Sequence, residues 1–433
     1  MASEKSTSTA SRAVTLDLLE QVLRHKYPLD DVLAGHSGFA TLETRDRGFA
    51  RLLTATVLRR IGQIDALIDH ALDRPLPVKA KAVLDLLRLG VCQLFFTDTP
   101  AHAAVSTTVD LARTRGHGPH KAMVNAVLRR LSREGAALVE NQDAARLNTP
   151  DWLWQSWVLA YGEKTARDIA SAHLREAPLD ITVKEDAAIW AGTLEAEILP
   201  TGSLRRAAGG LIPELPGFKD GQWWVQDAAA ALPVKLLGDI RGKRVIDLCA
   251  APGGKAAQMA SLGADVTAID RSEKRLVRLR QNMDRLSLSA DAIIADAVTW
   301  RPKKPAHAIL LDAPCSATGT IRRHPDVPRL KKPEDVSKLA LVQERLLTAA
   351  LDMVEPGGIV VYCACSLQPE EGPDRIKAAL KADPRFQRAP IHKDEIGGAA
   401  EMLTPTGDLR TLPCHLGEKG GMDGFFAARL KRR

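Results

Sequence analysis

Apolar residues recur three and four positions apart in Ala13-Val-Thr-Leu-Asp-Leu-Leu-Glu-Gln-Val-Leu and again in Ala80-Lys-Ala-Val-Leu-Asp-Leu-Leu-Arg-Leu. That spacing predicts amphipathic helices. Further helices are predicted at 43–61, 63–72, 100–114 and 119–133, with Pro75, Pro77 and Pro100 as breaks between them. Residues 9–135 therefore read as an all-α domain, preceded by a Ser/Thr-rich tail over 1–8 expected to be disordered. The pattern changes in 136–235. Trp152, Trp154 and Trp157 suggest helix-packing anchors, and 180–184 and 210–215 resemble short strands. Trp223 and Trp224, better suited to a core than to base stacking, precede a helix that Asp227 would cap. A small α+β connector domain is expected here.

From Gly242 onward, short apolar runs alternate with helical patterns, which argues for a mostly parallel sheet. Strands are predicted at 244–249, 265–270, 291–295, 307–312 and 358–364, and helices at 254–262, 272–286 and 335–354. A last strand at 424–430 would enter through an Asp423-Gly424 turn. The expected fold is thus multi-domain: an α-helical domain (9–135), a small α+β connector (136–235) and an α/β Rossmann-like domain (236–433).

The α/β part is organised around a strand, a small-residue turn and a helix. Val245, Ile246, Leu248 and Cys249 lead into Ala250, Ala251, Pro252, Gly253, Gly254 and Lys255. The glycines admit a ligand close to the backbone, and the helix N-terminus offers free N–H groups. Asp270 ends the next strand, 16 residues beyond Gly254, where a carboxylate can accept hydrogen bonds from two ribose hydroxyls. The turn is neither G-x-G-x-x-G nor a phosphate loop. A nucleoside without phosphates fits it better, with S-adenosylmethionine the common one; an ordinary buried turn is the alternative.

Three more strand ends carry reactive groups. Asp296 could reach the adenine amine of such a cofactor or simply serve as a turn residue. Asp312 and Cys315 end the fourth strand, and Cys365 ends the fifth. Ligands collect at the carboxyl ends of strands in open α/β sheets, so two thiols and a carboxylate should converge beside the cofactor turn. Each of these cysteines is followed by a serine. A thiolate becomes a strong carbon nucleophile when positive charge lowers its pKa, and Lys255 and the basic residues after Cys315 are available for this.

Charge adds a partner to this picture. The net charge is +7, and residues 1–135 carry 19 Lys/Arg against 14 Asp/Glu. Nucleic acid is the simplest acidic partner, although a mildly basic soluble protein would look the same. Arg113, Arg115, Lys121, Arg129, Arg130 and Arg133 suggest a phosphate-contacting surface, as does the run from Arg322 to Lys332; solvated helix faces and a solvated loop are the alternatives. No run of 18 apolar residues occurs, so no membrane association is expected. The six cysteines lack C-x-x-C pairs and zinc spacing, so no metal and a reduced cytoplasmic setting are expected. His415 reads as structural.

Taken together, Cys249-Ala-Ala-Pro-Gly-Gly-Lys255, Asp312-Ala-Pro-Cys-Ser316, Tyr362-x-x-Cys-Ser366 and Gly421-Met-Asp-Gly-Phe-Phe426 resemble the Sun and nucleolar-protein family of RNA 5-methylcytosine methyltransferases, and within it the bacterial small-subunit ribosomal RNA group. Residues 1–135, with Val124-Asn-Ala-Val-Leu-Arg129, resemble the NusB-type RNA-binding domain of that group. Ala364, where the family usually has Thr, and the extra thiol Cys363 depart from the pattern. The resemblance implies S-adenosylmethionine as cofactor, small-subunit ribosomal RNA as partner and cytosine carbon 5 as acceptor. In this chemistry a thiolate adds to carbon 6, making carbon 5 nucleophilic toward the methyl sulfonium, and a base then removes the carbon-5 proton. Asp312 would stabilise the adduct at the ring N3 and amine. The residues alone do not rank the thiols; the resemblance makes Cys365 the nucleophile and Cys315 the group that aids release. The target base must be splayed out of any helix to reach the thiol. A monomer is expected. The competing expectations are an idle RNA-binding or antitermination-type factor and a DNA cytosine methyltransferase.

Overall fold

The computed structural model describes residues 2–433, with side chains from residue 9; of the tail expected over 1–8, residue 1 lies outside the described residues and the backbone of 2–8 is helical. The chain divides into two compact units, residues 1–174 with 324–331, and residues 175–323 with 332–433.

The first unit is helical: α1 (Ala2–Leu23), α2 (Leu29–Gly35), α3 (Ser37–Ala40), α4 (Thr44–Ala71), α5 (Lys81–Phe95), α6 (Ala101–Thr114), α7 (Lys121–Glu140), α8 (Ala144–Asn148), α9 (Asp151–Tyr161) and α10 (Glu163–His173). The predicted apolar stripes form its core, with Leu18, Leu19 and Val22 of α1 buried against Leu53 and Val57 of α4 and Leu86 and Leu87 of α5. The two helices predicted at 43–61 and 63–72 are one, because nothing between them breaks the chain. Gly62 within it serves close packing: a Cβ there would lie 1.8 Å from the Leu147 carbonyl oxygen. Beside it, Asn148 Oδ1 accepts from the N–H groups of Gly62 (3.0 Å) and Gln63 (3.2 Å). These bonds, with Arg60 donating to the Leu174 carbonyl oxygen at 3.2 Å, tie residues 144–174 to the helical unit, which extends to residue 174 rather than 135. Trp157 is buried, whereas Trp154 lies between the guanidinium groups of Arg146 and Arg167.

Gly62→Ala reverses the usual helical preference. Alanine stabilises an exposed helix interior by about 1 kcal/mol over glycine, but here the added methyl meets backbone, and overpacking of this kind costs about 1–3 kcal/mol. A net loss of stability is the expected outcome of thermal unfolding. An unchanged or raised midpoint would contradict the packing.

The second unit begins with a small antiparallel sheet of β1 (Leu179–Val183), β2 (Glu197–Ile198), β3 (Leu204–Arg206) and β4 (Trp223–Val225), in the order β2-β3-β1-β4, with α11 (Ala187–Thr193). The strand expected at 210–215 is instead a single 3-10 turn, Ile212–Glu214, consistent with Pro213 lacking an N–H for a ladder. Trp223 and Trp224 are core residues. Helix α12 (Ala228–Lys235) follows, capped by Asp227, whose Oδ1 accepts from the N–H of Ala229 at 2.8 Å.

The large sheet contains β5 (Arg244–Leu248), β6 (Asp265–Asp270), β7 (Asp291–Ile294), β8 (Ala306–Asp312), β9 (Val354–Ala364), β10 (Phe386–Arg388), β11 (Leu409–Thr411) and β12 (Phe425–Arg432). Its order is β10-β12-β9-β8-β5-β6-β7, with β11 paired to β12. Strands β5 to β9 are mutually parallel and β12 runs antiparallel to β9. The crossovers are α13 (Gly254–Ser261), α14 (Glu273–Arg285) and α16 (Pro333–Met353), the last preceded by short α15 (Val327–Leu330), which belongs to the first unit; α17 (Pro373–Ala382) follows β9. Asp423 does not make the expected hairpin turn. Its side chain is fully buried and faces Arg322 and Arg323.

Candidate active site

The parallel strands bring β5, β8 and β9 side by side, so their carboxyl ends share one edge. The turn after β5 is tight. Cys249 has φ +62°, a left-handed conformation unusual for a residue with a side chain, and Gly253 has φ +104°. A Cβ on Gly253 would lie 2.8 Å from Leu279 of α14, so glycine also lets that helix close on the turn. Asp270, buried at the end of β6, holds the turn from outside. Its Oδ2 accepts from the N–H of Ala251 (3.2 Å), its Oδ1 from the N–H of Ser272 (2.9 Å), and Arg275 lies 3.3 Å from Oδ2. Asp296 is exposed and makes the turn contact, its Oδ1 accepting from the N–H of Val298 at 2.9 Å.

Lys255, in the first turn of α13, donates to Asp312 Oδ2 at 2.7 Å. The cofactor turn and the end of β8 are therefore joined by an ion pair. Burial alone would lower the Lys255 pKa, but the charge of Asp312 overrides it and the net shift is upward. Lys255 is thus a fixed cation whose first partner is Asp312, and it also lies over the Phe425 ring at 5.1 Å. Cys363 is buried beneath this pair, its Sγ donating to Asp312 Oδ1 at 3.6 Å. Burial, then the Asp312 charge, pushes its pKa well up. The extra thiol is therefore a neutral partner of Asp312. Cys249 is pushed up to about 12, first by burial and then by Asp312 and Asp270, so it too is a thiol at neutral pH.

Cys315 and Cys365 come together with their sulfurs 3.4 Å apart, both partly exposed. The Cys315 thiol is raised well above its ordinary range, first by its hydrogen bond to Cys365 and then by burial. Cys315 is therefore a neutral thiol within hydrogen-bond distance of the neighbouring sulfur. Ala317, two residues on, has φ +59°, a second left-handed residue at the site.

The basic run from Arg322 is not a free loop. Arg322 is fully buried, 3.4 Å from Asp227 Oδ2 and 3.7 Å from Asp423 Oδ1, and Arg323 is paired to Asp423. Arg329 donates to the Asn148 carbonyl oxygen at 3.4 Å within the first unit. Three of the arginines expected to grip phosphate are thus held by protein groups. In the helical unit, Arg113, Arg115 and Arg133 are exposed, with Arg115 paired to Asp17.

Two site residues are not evident from the strand-end reasoning. Asp247 sits one residue from the carboxyl end of β5, fully buried, and neither carboxylate oxygen has a hydrogen-bond partner among the described residues. Burial, then the charge of Asp312, drives its pKa well up. An acid inside an otherwise apolar parallel strand is the signal that marks it. An orphaned buried carboxyl beside the turn suits the ammonium of an amino-acid-bearing nucleoside. Glu371 is also fully buried and accepts from both serines that follow the thiols. Among the described residues no group of three or more His, Cys, Asp or Glu could hold a metal, and no helix is long and apolar enough to cross a membrane.

Residues 234–431 match the family described as 16S rRNA methyltransferase RsmB/F, and residues 9–133 match the NusB family. The chain is 37% identical over 408 residues to ribosomal RNA small subunit methyltransferase B of Pseudomonas putida, covering 90% of this chain and 91% of that one. It is 33% identical over 441 residues to the protein of the same name from Cronobacter sakazakii, covering 98% of each. The crystal structure of PH0851 superimposes with a TM-score of 0.75 at 22% identity, covering 98% of both chains, which shows a shared fold.

Proposed function

This chain belongs to the RsmB/F family of 16S rRNA methyltransferases, and from that premise we propose that it transfers a methyl group from S-adenosylmethionine to carbon 5 of a cytosine in small-subunit ribosomal RNA, through a covalent thiol adduct. The observation that carries the reading is the pair of sulfurs 3.4 Å apart at adjacent strand ends, beside the Lys255–Asp312 ion pair.

The residues suited to hold the cofactor are the turn 249–254 with Asp247, Asp270, Asp296 and Asp312. When bound, it supplies an electrophilic methyl on sulfur. The chain's own groups do the rest. The Cys365 sulfur adds to carbon 6, and the Asp312 carboxylate, fixed by Lys255, steadies the ring N3 and amine as charge develops there. Once carbon 5 carries the methyl, a solvent water takes its proton as the carbon–sulfur bond to Cys365 breaks, and the bonding pair returns to the Cys365 sulfur. The Cys315 thiol, 3.4 Å away, gives its proton to the departing sulfur and regains one from solvent. Exposed basic residues of the helical unit contact the phosphates.

The test is incubation of the protein with methyl-labelled cofactor and small-subunit ribosomal RNA, followed by digestion to nucleosides. Label in 5-methylcytidine is the expected result. Label in any other nucleoside, with none in 5-methylcytidine, rejects the reading.

A further inference from the structure

Each reactive cysteine is followed by a serine, and the structure gives those serines a common partner. Ser316 and Ser366 are fully buried with their hydroxyls 3.1 Å apart. Both donate to Oε2 of Glu371, Ser366 at 2.5 Å and Ser316 more closely. The other oxygen, Oε1, accepts from the backbone N–H of Ser316 at 2.9 Å and from Gln343 Nε2 at 3.1 Å. Gln343 in turn donates to the carbonyl of Pro314, on the other side of Cys315, at 3.0 Å. Tyr362 donates to the Glu371 carbonyl at 2.7 Å, which fixes the turn to β9. One carboxylate thus receives four hydrogen bonds from the two cysteine-bearing loops and the helix behind them.

A fully buried carboxylate with four donors and no ion pair among the described residues is an expensive feature unless it fixes something. The loops need fixing: they leave different strands, and two sulfurs at 3.4 Å hold only if both backbones are locked. We propose that Glu371 is a positioning residue that clamps Ser316 and Ser366, and through them sets the separation and proton sharing of Cys315 and Cys365. The proposal rests on the two-thiol reading for its catalytic consequence, but the clamp itself does not. Glu371 touches no reacting atom; its negative charge also helps keep the Cys315 thiol protonated.

The experiment compares wild type with Glu371→Gln, a near-isosteric change that removes the charge. The pH dependence of iodoacetamide alkylation is followed peptide by peptide by mass spectrometry, without RNA or cofactor. The expected midpoint for Cys315 falls by about one pH unit, the size of a nearby-charge effect. Methyl transfer falls roughly 100-fold in kcat, as for a small misplacement of reacting groups, with KM for RNA little changed. An unchanged Cys315 profile together with kcat within threefold of wild type overturns the proposal. If Glu371→Gln does not fold, Ser316→Ala and Ser366→Ala each remove one donor, and wild-type alkylation and kcat in both would overturn it equally. A protein that labels no cytosine yet shows the shifted Cys315 profile retains the clamp and loses only the proposed reaction.

Discussion

Cys365→Ala is expected to lower methyl transfer by on the order of 10⁴-fold or more, the scale seen when the nucleophile of a covalent enzyme is removed. It should also form no adduct with RNA carrying 5-fluorocytosine. Cys315→Ala should give the opposite record: the adduct forms and accumulates. The physical reason lies in the shared proton. With the sulfurs 3.4 Å apart and the Cys315 thiol shifted well up, Cys315 retains the proton that the departing Cys365 sulfur needs. Removing Cys315 leaves the attacking sulfur in place without its donor, so addition continues and elimination stalls. Denaturing gels of protein with the fluorinated RNA read both results, and cofactor binding by calorimetry serves as the folding control. An adduct from Cys365→Ala and none from Cys315→Ala would exchange the roles.

The second large effect is on stability. Arg322 is fully buried between Asp227 and Asp423 and also donates to the Gly420 carbonyl at 2.5 Å. Arg322→Met should cost about 3–5 kcal/mol near pH 8, because removing one partner of a buried cluster leaves carboxylates uncompensated. The loss should depend on pH. In the native chain the Asp227 pKa lies above its ordinary value of 3.8, first through burial and then through the Asp423 charge, while Arg323 and Arg322 pull it down. Without Arg322 it rises further. A carboxyl whose folded pKa exceeds its unfolded one binds a proton more readily when folded, so stability increases as pH falls through the folded value toward 3.8. The deficit of the variant should therefore be smaller at pH 5 than at pH 8 in urea unfolding. Equal deficits at the two pH values would show that Asp227 does not feel Arg322.

Much of this was legible one segment at a time. The α/β strand and helix positions agree with expectation to within a few residues because each strand is a short apolar run ended by a turn, a local signal. The thiols, Asp312 and the 249–255 turn could be placed at one sheet edge because parallel strands with crossover helices put their carboxyl ends on the same side. Other features were not legible, three of them instructive. The sequence pattern predicts two helices at 43–61 and 63–72 where the fold has one, and only the approach of Leu147 shows the purpose of Gly62 between them. The basic run after Cys315 read as a solvent-facing phosphate grip because arginine is ordinarily exposed. Glu371, in a charged Pro-Glu-Glu turn, gave no local sign of burial.

By itself, then, the sequence determined the order of elements, the strand ends that bear chemistry and the residue types available there. Tertiary structure alone decided which charges are internal, that Asp227 and Asp423 meet Arg322, that Lys255 belongs to Asp312, and that one glutamate receives both serines. The reason is physical: periodicity and turn chemistry act over a few residues, whereas the burial of a charge depends on partners tens to hundreds of residues away that only the folded chain brings within a few ångströms.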